Sequence, residues 1–586
     1  MSEAFVRQCR EAARDFLQTV IIIDDGLTVG EESNSSTSKK ASRRASSLLG
    51  NKSVNSGASG AQATPVESHA ISMAHPLNAL ELTSAFFDKE LVAGLYKPTI
   101  ESIQQGIIEH SVAMAKKCDA VIIDWSLEEP GETGSSKDGT NTEPRHLATE
   151  IIIKLVSDDY RHGGRLRTII VYTAEKDLTG IRGQLRTNLA AAGISDFLTK
   201  KKIEFREDGA FNIVSPNLRI AFYSKPNGAT VDETRKKQVS DLPSVVIEEF
   251  TSHVTGLLPS FALRSTAAVR RNTHNLLTRF SEDLDTSYLA HRAMLPDAED
   301  AEPYMLENLV SVIRNTISLE QIDRKYLGVD SISHWADHAN NKGATFRGHC
   351  AGREISCTPE ELKKAFEDGH AQICSLISSK TGKQINKVGD TLLLEMAKII
   401  AANPVDQLER FSVLSSFKRS HADIGWASPE NSPYLTQGTI IAKVLANNEF
   451  DYLLCVTPKC DCIRIKENSA PASRTLSFVN MQKKEGTGRF DLIVNFNGEH
   501  IQLATHSKFH RLVHIDFVSN RKSFRVEGIY KEPTRRFYFN DIHDCEYLWI
   551  GDLKDLHVQN RVSSLVGDLN RIGFDEFEWL RIKAKS

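Results

Sequence analysis

Four short apolar runs in this chain lead into polar residues of different kinds: VIII into Asp24 and Asp25, AVII into Asp124, TIIVY into Thr173, and RIAFYS into Lys225. Continuous Val/Ile/Leu runs of this length read as parallel strands buried on both faces, and ligands of open α/β sheets bind just beyond the carboxyl ends of such strands. The polar groups at those ends therefore converge. Three carboxylates gathered in one place repel one another unless a hard cation joins them, and Mg²⁺ takes oxygen ligands in an octahedral shell that keeps several waters. Beside such an ion, Asp124 is a carboxylate nucleophile towards a phosphoryl group, with the Thr173 hydroxyl and the Lys225 ammonium facing the transferred oxygens. The chemistry these residue types support is formation of an aspartyl phosphate. Any one of these runs alone reads as an ordinary strand end or helix cap; the ordered set is what points to a site.

The order Asp-Asp, Asp, Thr-Ala, Lys-Pro resembles the receiver domain of two-component response regulators, over roughly residues 15 to 235. The resemblance implies a flavodoxin-like, doubly wound parallel α/β sheet. By position it makes Asp24 and Asp25 the metal-binding pair and Asp124 both a Mg²⁺ ligand and the phosphorylation site. It also implies that Ser126 offers its backbone carbonyl to the metal, that Thr173 is the switch hydroxyl, and that Phe222, three residues before Lys225, is the switch aromatic. A sensor histidine kinase is the implied phosphodonor.

The spacing departs from that pattern in two places. Asp24 and Asp124 lie 100 residues apart, and residues 31–70 hold eleven Ser among Gly, Lys, Arg and Ala. That composition is too poor in apolar groups to offset the entropy of ordering, and a disordered insertion is expected there. The second excess lies between Thr173 and Lys225, where GISDFLTK, with Phe197 three residues before Lys200, offers an alternative last strand. Lys225 is preferred because RIAFY is the more strand-like run, whereas Lys200 sits in a KKK run that reads as a solvated face. On that choice, residues 203–214 form an inserted β-hairpin turning at Asp208-Gly209.

With 586 residues the chain exceeds a single core. Its units are expected at residues 1–235 (receiver-like), 236–425 (α-helical) and 426–586 (β-rich, small-barrel-like, with closing helices). Basic and acidic side chains number 72 and 76, a formal charge of −4, which gives no electrostatic case for nucleic acid or an anionic membrane. No apolar run reaches the length of a membrane span, and the amino terminus reads as an amphipathic helix rather than a signal peptide. Nine cysteines, an odd number, fit reduced thiols in the cytoplasm.

Helical spacing marks residues 303–320, 359–379 and 389–416, with a capping box at Thr358, Pro359 and Glu361. His334, His338, His349, Cys350 and Cys357 invite a zinc reading, but no Cys-x-x-Cys pair supports it and packing is the plainer expectation. His291 could serve as a phosphorelay histidine, or simply as a helix residue. From residue 430 short β-rich runs follow, including a hairpin at Asn497-Gly498, and DEFEWLRIKAK closes the chain as a helix. Cys455, Cys460 and Cys462 around Asp461 are candidates for a thiolate metal site or reactive pair, against plain packing. The GTI turn followed by a strand ending in TPKCDC also resembles a β-domain of bacterial anti-phage defence proteins.

The whole arrangement resembles the receiver-bearing components of bacterial anti-phage two-component systems of the Detocs kind, in which a kinase phosphorylates both an effector and a receiver protein that drains phosphoryl groups. The resemblance implies a phosphate buffer without an output activity of its own, sharing its kinase with an effector that carries its own receiver. The alternative is an effector enzyme within residues 240–586 that phosphorylation of Asp124 releases.

Overall fold

A computed structural model describes residues 2–28, 77–98, 106–127, 147–161, 164–194, 206–207, 209, 211–228, 230, 232–296, 298–341, 346–386, 395–396, 399–400, 404–420, 431–445, 449–463, 473–484, 490–496, 499–505, 512–520, 523–532 and 534–569. Residues 31–70, Phe197, Lys200, Asp208, the Asn497-Gly498 turn and the closing DEFEWLRIKAK segment all lie outside them.

The first sheet contains β1 (Thr19–Ile23), β2 (Val92–Tyr96), β3 (Ala120–Ile123), β4 (Arg167–Thr173), β5 (Arg206–Glu207), β6 (Asn212–Ser215) and β7 (Leu218–Ser224). Its order is β2-β1-β3-β4-β7-β6-β5, with the first five parallel and β6 and β5 antiparallel on one edge. The parallel part has the 2-1-3-4-5 order of a flavodoxin-like sheet, whose ligand site lies where the winding reverses, between β1 and β3. Every residue of β3, β4 and β7 is buried, as expected for strands covered on both faces. One face packs on α3 (Ile107–Ala115), α4 (Leu147–Arg161) and α5 (Leu178–Leu189) through Ile21, Ile23, Val121, Ile123, Val171 and Phe222. The other face packs Val20, Ile22, Ile122, Ile170 and Tyr172 on α1 (Ser2–Phe16), α2 (Ala79–Phe87) and α6 (Leu242–Val254). The inserted hairpin is β5 paired with β6, and Gly209 in its turn takes φ +70°.

Residues 190–194 continue α5 as a π-helical turn, so the described part of GISDFLTK is helical, and the strand beside β4 is β7. Sequence reading overlooked β2, where Gly94 and partial exposure interrupt the apolar run.

Beyond the sheet, α7 (Leu257–Arg271) lies against α1 and is fixed at the amino ends of the strands. Arg270 donates to both Asp119 carboxylate oxygens at 3.0 and 3.1 Å, and that carboxylate also accepts from the Gln18 and Thr19 amides. There follow α8 (Asp285–Met294), α9 (Ala301–Leu319), α10 (Ile322–Leu327) and α11 (Val329–Asn341). A small unit then combines the hairpin β8 (Arg347–Cys350) and β9 (Arg353–Ser356) with α12 (Pro359–Asp368) and α13 (His370–Thr381). The helix expected over 359–379 is thus two helices, because Gly369 adopts φ +67° and ends the first. Its capping box is present: Thr358 Oγ1 accepts from the Glu361 amide, and the Glu361 carboxylate accepts from the Thr358 amide.

After α14 (Pro404–Ser416) comes a second, ten-stranded sheet: β10 (Phe417–Ser420), β11 (Thr439–Val444), β12 (Phe450–Cys455), β13 (Ser473–Lys484), β14 (Leu492–Phe496), β15 (Glu499–Thr505), β16 (Leu512–Val518), β17 (Ile529–Lys531), β18 (Arg536–Asn540) and β19 (Glu546–Leu553). All its pairings are antiparallel. Alternate residues feed two cores. Ile440, Tyr452, Leu454, Leu548 and Ile550 face one, whereas Ile441, Leu453, Cys455, Tyr547 and Trp549 face the other. The β-rich unit is therefore a large antiparallel half-barrel sheet buried on both faces, roughly in keeping with the barrel-like expectation. The first core also receives Val558 from α15 (Asp555–Leu569).

Gly438 leads into β11 at φ +92°, and a Cβ there would lie 2.4 Å from Val558 Cγ2. Gly438→Ala should cost about 1–3 kcal/mol by combining left-handed strain with a clash against α15. A lowered urea midpoint for the β-domain, followed by its tryptophan fluorescence, would show it.

Candidate functional site

The sheet brings the sequence candidates together at the carboxyl ends of its strands. Asp24 and Asp25 follow β1, Asp124 follows β3, Thr173 ends β4 and Lys225 follows β7. Asp24, Asp124, Thr173 and Lys225 are all buried, and Asp25 is half-buried. One carboxylate oxygen from each of Asp24, Asp25 and Asp124 lies within 4.8 Å of the others. Lys225 Nζ bridges this group, 2.8 Å from Asp24 Oδ2 and 2.6 Å from Asp124 Oδ2.

Backbone geometry holds each acid in place. The Asp24 amide donates to the Tyr96 carbonyl of β2, and the Asp124 amide to the Ile23 carbonyl of β1, so both carboxylates are tied to neighbouring strands. Asp24 Oδ1 accepts from the Gly26 amide at 2.7 Å and Asp124 Oδ1 from the Ser126 amide at 3.1 Å. The Lys225 amide donates to the Thr173 carbonyl, which aligns β7 with β4 at the rim. Gly228 closes the turn after Lys225, and a Cβ there would stand 3.2 Å from the Ala174 carbonyl and 2.2 Å from Ser224 Oγ, so only glycine fits without a shift.

Burial pushes the Asp24 carboxyl up to about 6; the Asp124 charge adds to that rise and the Lys225 ammonium opposes it. Burial alone would lower the Lys225 ammonium, but the charges of Asp124 and Asp24 outweigh it and hold the group above its ordinary value. Three carboxylates gathered this closely, with burial raising Asp24, are short of positive charge, and all the donors are oxygen. It fits a hard divalent cation such as Mg²⁺.

Ser126 Oγ lies 3.4 Å from Thr173 Oγ1 and 3.3 Å from Glu175 Oε1. The Thr173 hydroxyl thus sits beside the loop that follows Asp124. Phe222 is fully buried in the core against the α3–α5 face, while its neighbour Tyr223 points to the other face and donates to the buried Glu249. Sequence reading missed a strap after Lys225: Lys236 bridges to Ser224, and the Lys237 carbonyl accepts from Tyr172 Oη at 2.9 Å, immediately before Thr173. No short motif marks such a strap, because backbone groups make its contacts.

Residues 16–230 match the family model of the response receiver domain. The match supports a receiver-domain protein. Neither the curated proteins nor the solved structures returned a match to the chain.

Of the other sequence candidates, Cys455 and Cys462 meet side chain to side chain but join no metal-holding group among the described residues. Among the described residues the three aspartates form the only group of three or more His, Cys, Asp or Glu side chains placed to share a metal. Cys350 and Cys357 are buried in the small unit's core, His349 is exposed, and His338 packs its ring 5.3 Å from Phe5. Cys455 and Cys462 belong to a core of the β-domain, where burial pushes the Cys455 thiol well up, and Cys460 is exposed beside Asp461. His291 is exposed, 5.2 Å from the Tyr304 ring. Among the described residues no helix is long and apolar enough to cross a membrane.

Proposed function

We propose that the chain accepts a phosphoryl group on Asp124 from a sensor histidine kinase in a cytoplasmic two-component pathway. The observation that carries this reading is the convergence of Asp24, Asp25 and Asp124 on Lys225 Nζ at the carboxyl ends of parallel strands. Bound by the three carboxylates, Mg²⁺ would supply the charge that offsets the incoming phosphoryl oxygens. Asp124 forms the new P–O bond as the P–N bond of the donor phosphohistidine breaks, and the leaving imidazole nitrogen takes up a proton. The Ser126 amide orients Asp124 through Oδ1 and leaves Oδ2, now paired with Lys225, as the attacking oxygen. Lys225 then follows the charge from the carboxylate to the transferred oxygens, and the Thr173 hydroxyl takes the switch role.

The finer reading, a phosphate buffer beside an effector in an anti-phage pathway, rests on the resemblance to Detocs-type systems. Purified protein incubated with Mg²⁺ and a small phosphodonor should gain the mass of one phosphate, and hydroxylamine should remove it as it does any acyl phosphate. An unchanged mass would end the proposal. Losing the Lys225 contact removes a charge-assisted interaction of about 1.5–3 kcal/mol, so Lys225→Ala should slow uptake roughly 10- to 150-fold. Lys176→Ala, an exposed neighbour, should leave the rate within about twofold.

A further inference from the structure

Among the described residues, ten of the 27 exposed large apolar side chains fall between residues 277 and 319: Leu277, Phe280, Leu284, Leu289, Met294, Tyr304, Leu306, Leu309, Val310 and Leu319. That stretch contains α8 and α9. Among described residues α8 buries none of its side chains, and the 19-residue α9 buries Ala301 alone. Helices are stabilised in water chiefly by packing an apolar face, so a long helix with its apolar face uncovered is short of a partner. The two helices do hold each other: Arg292 pairs with Glu302 at 3.1 Å and the His291 ring lies against Tyr304. They form a hairpin anchored at its base, where Ile317 packs beside Ile322 and Tyr326.

The pattern on α9 specifies the partner. Leu306, Leu309, Val310 and Ile313 stand at i, i+3, i+4 and i+7, one stripe of a helix. The first three are exposed and Ile313 is half-buried. Flanking the stripe on one side are Glu307 and Arg314, seven residues apart, both exposed and neither with an ion-pair partner among the described residues. Placed antiparallel against a copy of itself about a two-fold axis near Val310, the helix sets Leu306 over Ile313 of the partner copy. The same axis sets Glu307 beside Arg314 of that copy, and the symmetry makes each contact twice. A parallel arrangement would instead oppose Glu307 to Glu307 and Arg314 to Arg314. The charges therefore choose both a second copy and its direction.

We infer that the α8–α9 hairpin is a homodimerisation element, in which α9 pairs antiparallel with α9 of a second copy. Sedimentation equilibrium of the full chain reads this directly, with a dimer expected at micromolar concentration. Leu306→Glu with Val310→Glu buries like charges in the seam and should leave a monomer, and both side chains are exposed enough in one copy to spare its fold. Glu307→Arg and Arg314→Glu, made singly, should each weaken the dimer about tenfold or more by opposing like charges. Combined in one chain they restore both pairs, and the dissociation constant should return to within about threefold of the wild type.

A monomeric wild type overturns the inference. So does a dimer indifferent to the single reversals, which would put the contact elsewhere, and so does a double reversal no tighter than the singles, which would exclude the antiparallel pairing.

Discussion

Asp124→Asn is expected to abolish phosphoryl uptake outright while leaving the fold intact. The amide keeps the shape of the side chain, can still accept from the Ser126 amide, and leaves Lys225 its 2.8 Å contact with Asp24. It lacks a carboxylate oxygen able to form the P–O bond, so the loss should be complete rather than graded, unlike that of Lys225→Ala. Intact-mass measurement after incubation with Mg²⁺ and a small phosphodonor should show no added phosphate, with hydrogen exchange across β3 and β4 unchanged. A variant that still gains phosphate would place the acceptor elsewhere. The same substitution separates the two roles proposed from sequence. If the chain is a buffer, extra copies of the wild type beside its kinase dampen signalling and Asp124→Asn removes the damping. Silencing of the response by Asp124→Asn would instead identify an effector.

What the sequence made legible, and what it did not, follows from how each residue is buried. The central strands β1, β3, β4 and β7 carry the apolar runs VIII, AVII, IIVY and IAFY because helices cover both faces, and each run leads to its functional residue. The edge strand β2 is covered less and carries Gly94, so neither run nor alternation survived in its five residues. The β-rich half was legible as short strands, but not as one large sheet. Two-sided burial makes both phases of the alternation apolar, and the pairing of Phe417–Ser420 with β19, across more than a hundred residues, leaves no local trace. The choice of Lys225 over Lys200 rested on strand character, and Lys225 is the lysine found against Asp24 and Asp124.

Arg167 shows the same limit at a single side chain, and breaking its buried ion pair should have the largest effect on stability. At the start of β4, in RLRTIIVYT, a basic residue reads as the solvated end of a strand. Yet Arg167 is 1 % exposed and Asp159, near the end of α4, only 7 %. The guanidinium meets Asp159 in a two-pronged pair and donates a further bond to the Ala115 carbonyl at 3.0 Å, so it ties together α4, β4 and the end of α3. Removing one partner of a buried pair strands the other charge in the core, at about 3–5 kcal/mol. Asp159→Ala should therefore destabilise the receiver-like unit by that much, a large part of the roughly 5–15 kcal/mol that holds a typical domain together. Hydrogen exchange of β3 and β4 amides should accelerate by about two to three and a half orders of magnitude, at about 1.4 kcal/mol per factor of ten. Replacing both residues by apolar ones of similar volume, Arg167→Met with Asp159→Leu, should recover most of the loss, since a packed apolar pair carries no stranded charge. If the double variant were no better than Asp159→Ala, the Ala115 hydrogen bond rather than the ion pair would be what holds these three elements together.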